Sequence, residues 1–211
     1  MNFFIYLGMT SIITADIINS RKLPSGSWIA DFKKLLDTKG NTPRDWEIYR
    51  GDEFQLEVKN PEDALITALQ IKAHMRNIGL DVRMSIGFGD KTHQAQKISE
   101  SNGTAFIRSG EQFESLKKQK VTLAINSGNA DFDTEMNLML RLALAIMDNW
   151  LAQSAEFVLT AIDNRSMSQE ELGQKLGINQ AAVSRRQKRA HFDLIMDLET
   201  HYRQKIKILS A

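Results

Sequence analysis

A chain of 211 residues, 42% of them hydrophobic and 25% charged, is long enough to bury a core, and its composition excludes a disordered or fibrous protein. The net charge of +1 excludes a uniformly basic or acidic surface. With no cysteine and only four scattered histidines there is neither a disulfide framework nor a thiolate or structural zinc site, and a reducing cytoplasm is the expected compartment.

The apolar opening Phe3-Phe4-Ile5-Tyr6-Leu7 lacks a basic flank, and the chain meets Asp16 and Arg21 before a membrane-spanning length is reached. Neither secretion nor a membrane partner is expected; a natural start at Met9, with residues 1–8 as an extension, is an alternative reading. The β-branched run Ser11–Ile17 predicts a buried strand that delivers Asp16 to its end. Trp28, Phe32, Leu35 and Leu36 then mark one face of a helix closed by Gly40 and Pro43. Trp46–Tyr49 and Phe54–Val58 alternate apolar with polar residues around Arg50-Gly51-Asp52-Glu53, which predicts a hairpin with acids near its tip. Pro61 opens a helix whose apolar stripe runs from Ala64 to Ile78 and stops at Gly79. Val82, Met84 and Ile86 predict the next strand, Ser101 a cap for a helix carrying Phe106, Phe113 and Leu116, and Val121–Ile125 the last strand. The order β-α-β-β-α-β-α-β implies an α+β fold, a ferredoxin-like or palm antiparallel sheet with helices on one face.

Beyond Asn126-Ser127-Gly128-Asn129 the strand signals stop, so residues 1–128 are expected to form the palm-like domain and 129–211 a helical one. Leu138, Leu140, Leu142, Leu144, Ile146, Met147, Trp150 and Leu151 predict a long apolar helix that either bridges the domains or pairs with a second subunit, and Ala155–Ile162 predicts another. The densest signal lies at 168–190. Ser168 with Glu171 three positions on is a capping box, Leu172, Leu176, Ile178 and Val183 close a small core, and Gly177 permits a tight turn. This is a helix-turn-helix pattern. Gln180, Ala181, Ser184 and Arg185 would face base edges, and Arg186, Lys188 and Arg189 would meet phosphates. Arg185, Arg186, Lys188 and Arg189 carry no acid among them, while Asp131, Asp133 and Glu135 cluster elsewhere. The alternative is a helical hairpin with a solvated basic face. The stretch resembles the DNA-binding units of bacterial transcription regulators. Phe192, Leu194, Ile195, Leu198, Tyr202 and Ile206 predict a final amphipathic helix for packing or dimer contact.

A palm-like sheet would bring Asp16 beside Asp52 and Glu53, three hard oxygen ligands suited to Mg²⁺ or Mn²⁺ and, through the metal, to nucleotide phosphates. Thr14-Ala15-Asp16-Ile17-Ile18-Asn19-Ser20 resembles the metal-binding first strand of class III nucleotide cyclases. Arg50-Gly51-Asp52-Glu53-Phe54 is similar to their second acidic motif and, one glycine short, to the diguanylate cyclase signature. The Asn and Arg pair that cyclases use, four residues apart, has no counterpart near Gly103–Arg108. Over nearly the whole chain, the order Thr14–Lys22, Arg50–Gln55, Ile86–Gly89, Ser101–Ile107, then the helix-turn-helix, resembles the SatD family.

The expectation is a cytoplasmic bacterial regulator that binds DNA through residues of 168–190, possesses a metal- and nucleotide-binding palm-like domain, and pairs as a homodimer because one helix-turn-helix reads only a half-site. The competing readings are a metal-dependent cyclase or phosphoryl-transfer enzyme and a protein-interaction module.

Overall fold

The computed structural model describes residues 8–209, so the apolar run Phe3–Leu7 and the question of the start lie outside it, apart from Gly8. Five strands form one sheet: β1 (Thr10–Ile18), β2 (Trp46–Tyr49), β3 (Glu53–Val58), β4 (Asp81–Gly89) and β5 (Leu123–Asn126), in the order β2-β3-β1-β4-β5. All neighbours are antiparallel except β4 and β5. The sheet is therefore mixed, not wholly antiparallel as expected, because helix α3 (Thr104–Gln119) carries the chain back across the sheet before β5 begins.

Pleating sorts the strand residues into two faces. Ile13, Ala15 and Ile17 of β1 lie across from Ile86, Met84 and Val82 of β4, and all are buried in the main core. Helices α1 (Ser25–Asp37) and α2 (Ala64–Asn77) belong to that core, contributing Trp28, Phe32 and Leu36 and then Leu65, Ala68, Leu69 and Met75. On the opposite face Ile12 joins Ala105 and Phe106 of α3 in a second cluster. Helices cover both faces, which corrects the one-face expectation. The register explains why a helix fits there: Gly87 lies on that face, and a Cβ on it would sit 2.3 Å from both Ala105 O and Ser109 N. The residual polar groups are paired, with Thr14 Oγ1 2.9 Å from Ser109 Oγ and Ser85 Oγ donating to Ser109 O at 2.6 Å.

Three boundaries differ from expectation. Gly103, not Ser101, precedes α3, because a side chain there would collide with Asp90 O at 2.1 Å; the Ser101 hydroxyl instead accepts from Ala95 N and donates to Lys97 O. Val121 is spent closing α3 through its N–H to Leu116 O, with Lys120 left-handed at φ 56°, so β5 starts two residues late at Leu123. The long apolar helix α4 (Ala130–Met147) stops before Trp150 and Leu151. Trp150 sits buried in the break, its indole N–H donating to Ala190 O and its carbonyl accepting from Arg76.

From Ala130 onward the chain is helical: α5 (Ala152–Asp163), α6 (Gln169–Leu176), α7 (Gln180–Ala190) and α8 (Phe192–Leu209) follow α4. Its apolar residues, Phe157, Val158, Val183 and Tyr202 among them, belong to the same buried cluster as the sheet core. Fully buried Lys72 of α2 reaches Asp81 at 2.9 Å, Asp148 at 2.5 Å and Thr122 at 3.2 Å, pinning α2, the sheet and the end of α4 together. Among the described residues no helix is long and apolar enough to cross a membrane.

Candidate nucleic-acid interface and acidic site

The segment from α5 to α7 packs as a three-helix unit. Ser168 and Glu171 make the reciprocal capping box: Ser168 Oγ accepts from Glu171 N at 3.2 Å, and Glu171 Oε2 accepts from Ser168 N at 2.7 Å. The Ser168 backbone N–H, and secondly its hydroxyl, hold the Glu171 carboxyl below its usual range. Gly177 ends α6 at φ 65°, a conformation open to glycine at little cost, and Ile178 N closes the turn on Gly173 O. Asn179 then caps α7 by accepting from Ala182 N at 2.9 Å. Leu172 and Val183 are buried between the two helices.

This core fixes what α7 presents. Gln180, Ala181, Arg185, Lys188 and Arg189 are exposed, and Ser184 is half-buried on the same side as Ala181, Arg185 and Lys188. Arg186 departs from the set: its guanidinium turns to α5 and donates to Glu156 Oε2 at 2.6 Å. Gln180, Arg185, Lys188 and Arg189 thus face outward, and Arg186 anchors the helix. Sequence reasoning missed an amide ladder behind that row. Gln180 donates to Gln169 at 3.5 Å, Gln169 to Gln187 at 2.8 Å, and Gln187 to Asp193 at 2.7 Å, tying the start of α7 to α6 and α8. Three glutamines and an aspartate at these separations carry no distinctive sequence signal.

The acidic residues meet on the face that α3 covers. Register places Glu53 of β3 and Arg83 of β4 directly across from Asp16 of β1, so two carboxylates and a guanidinium form one row. Asp52 lies in the hairpin turn, where Arg50 and Gly51 take positive φ; its carbonyl accepts from Ile17 N at 3.0 Å and its carboxylate from Ser20 Oγ at 2.7 Å. Arg83 Nη1 donates to Asp16 Oδ2 at 3.1 Å, while Lys117 of α3 stands 3.9 Å from Glu53. Burial raises the Asp16 pKa, Arg83 and Lys117 oppose that rise, and Asp52 and Glu53 add to it. Asp16 Oδ1 and Arg83 Nε are buried without a hydrogen-bond partner among the described residues.

Asp16, Asp52 and Glu53 lie in one electrostatic neighbourhood, and each carboxylate has its own cation or hydroxyl. Among the described residues no group of three or more His, Asp or Glu side chains is arranged to hold a metal ion. The donor chemistry at Asp16 fits a hard cation, since an oxygen is left over, whereas the set as it stands is no three-carboxylate cage. Arg83 and Lys117, the counter-charges, lay hidden in the sequence because cross-strand register and the crossing of α3 are long-range properties. The model of the SatD family matches residues 10–205 of this chain, while no curated protein and no solved structure matches it.

Proposed function

The chain belongs to the SatD family, and from that footing we propose that it is a DNA-binding regulator which docks α7 in the major groove. The observation that carries this reading is the outward row Gln180, Ala181, Ser184, Arg185, Lys188 and Arg189 on a helix whose angle is fixed by a capping box, a left-handed turn and the Arg186–Glu156 anchor. The first residues of such a helix reach base edges and its later cations reach phosphates. Two half-sites, and hence a homodimer, belong to the same reading. Fluorescence anisotropy with labelled genomic duplexes tests it: Arg185→Ala weakens binding, and a full-length protein with no duplex affinity at low salt overturns it.

A second reading concerns the acidic row, in which an Mg²⁺ or Mn²⁺ ion, with a nucleotide behind it, takes the leftover Asp16 oxygen and draws in Asp52 and Glu53. The buried, unpaired Asp16 Oδ1 favours it. Thermal unfolding with MnCl₂ and GTP or ATP measures it. Stabilisation that is lost in Asp16→Asn and Asp52→Asn supports the site, and justifies assaying cyclase or phosphoryl-transfer turnover; no shift under any condition removes it.

A further inference from the structure

Helices α5, α6, α7 and α8 leave an open cavity of about 360 Å³ between them, beside the turn that joins α5 to α6. One side of it is apolar, built from Phe157, Leu172, Phe192 and Met196. Phe157 and Phe192 meet edge to face with centroids 5.4 Å apart. Rings and a thioether together make a wall against which another aromatic ring packs well. The other side carries Asn164, Arg165, Gln169 and Gln187, and no carboxylate lines the cavity. Gln169 spends one amide N–H on Gln187 at 2.8 Å and Gln187 one on Asp193 at 2.7 Å, so each keeps a second donor. Asn164 Oδ1 accepts from Lys175 at 3.1 Å, which brings an ammonium close to the rim. Arg165 is the uncommitted charge. Its nearest carboxylate oxygen, Glu199 Oε1, is 3.9 Å away and already accepts from Arg203 at 2.8 and 3.2 Å, and Arg165 makes no hydrogen bond among the described residues.

We propose that this cavity binds a small aromatic carboxylate, its ring against Phe157 and Phe192 and its carboxylate on Arg165. Charge selects the sign, because the lining offers a guanidinium and spare amide donors and no anion. The single uncommitted guanidinium matches a single negative charge, which its planar fork can meet through two parallel hydrogen bonds. The volume lies at the lower end of the range for small-molecule sites, roughly 300–1,000 Å³, and leaves room for one ring with a short acidic arm. The site does not depend on α7 meeting DNA. Its lining nevertheless includes Gln169 of α6 and Gln187 of α7, so an occupant touches both helices at the bond that ties them.

Spectra of the full chain carrying methyl-labelled methionine test the site without DNA. Met167 and Met196 line the cavity, whereas Met136 and Met147 are sealed in the core. Titration with phenylacetate to millimolar concentration is expected to move the Met167 and Met196 methyl resonances saturably and to leave the two core methyls in place. Neutral phenylacetamide, of nearly the same shape, is expected to bind about tenfold more weakly, the worth of one charge-assisted hydrogen bond. Arg165→Gln alters an exposed side chain and spares the fold; it is expected to bring phenylacetate down to the affinity of the amide while leaving the amide unchanged. Absence of any shift at Met167 and Met196 overturns the proposal. Equal binding of acid and amide by the wild type does so too, as does a preference for the acid that survives Arg165→Gln.

Discussion

Asp16 is held at a cost. Its charged form is disfavoured by burial more than Arg83 and Lys117 favour it, and its folded pKa lies above the ordinary 3.8. The folded state thus binds this proton more tightly than the unfolded chain does. The stability it lends is present at low pH and is lost as pH rises through the raised value. Asp16→Asn is accordingly expected to raise the melting temperature at pH 7 more than at pH 3.5, and a loss at pH 7 would mean that Arg83 and Lys117 outweigh burial. His74 runs the other way: half-buried on α2 against Phe32, with Nε2 lacking a hydrogen-bond partner among the described residues, it is held below its ordinary 6.5 by desolvation, opposed by Asp31. Its contribution is present above pH 6.5 and is lost as pH falls below it, because the unfolded chain takes up the proton first. His74→Phe should therefore gain more at pH 5 than at pH 8 in thermal melts. Lys72 is the most demanding single residue. Removing one partner of a buried charge cluster costs about 3–5 kcal/mol, so Lys72→Ala, which abandons Asp81 and Asp148, is expected to lower the unfolding free energy by that amount in urea titrations.

At the scale of elements, the capping box on α6 is worth about 1 kcal/mol by the usual cost of removing such a cap, and Ser168→Ala should show that loss in chemical denaturation without disturbing the sheet. Helices α6 and α7 were legible because every signal there is local: a cap, a turn glycine and four apolar positions within a score of residues. The first four strands were legible for the same reason, since alternation and β-branching declare them. What escaped depends on distant contacts. Val121 looks like strand and is taken by the helix end before it; Trp150 looks like helix and is taken by Ala190 and Arg76. The second helical layer escaped because nothing local distinguishes Gly87 as the place where α3 must approach. At the acidic site the carboxylates were foreseeable from the motifs, whereas the cations facing them follow from β1–β4 register.

Taken whole, the molecule joins its sheet and its helical half through buried links. Tyr202 donates its hydroxyl to Pro61 O, Arg76 binds Trp150 O, and Gln70 binds Asp163 at 2.6 Å. A shared apolar core with such links predicts one cooperative unfolding transition, with coincident near- and far-ultraviolet circular dichroism melts. The same linkage gives α7 a fixed platform. The measurement that tests the central claim most directly is the salt dependence of duplex binding for the wild type, Arg185→Ala and Arg186→Ala. Each phosphate contact contributes roughly 0.9 to the slope of log affinity against log salt for duplex DNA. A steep slope is expected for the wild type, with tighter binding to some duplexes than to others. Arg185→Ala is expected to lose affinity and Arg186→Ala to keep the slope, its guanidinium being engaged with Glu156. A wild-type affinity that is absent, or present but indifferent to salt and to Arg185, would contradict it and leave the basic helix as a surface for another protein.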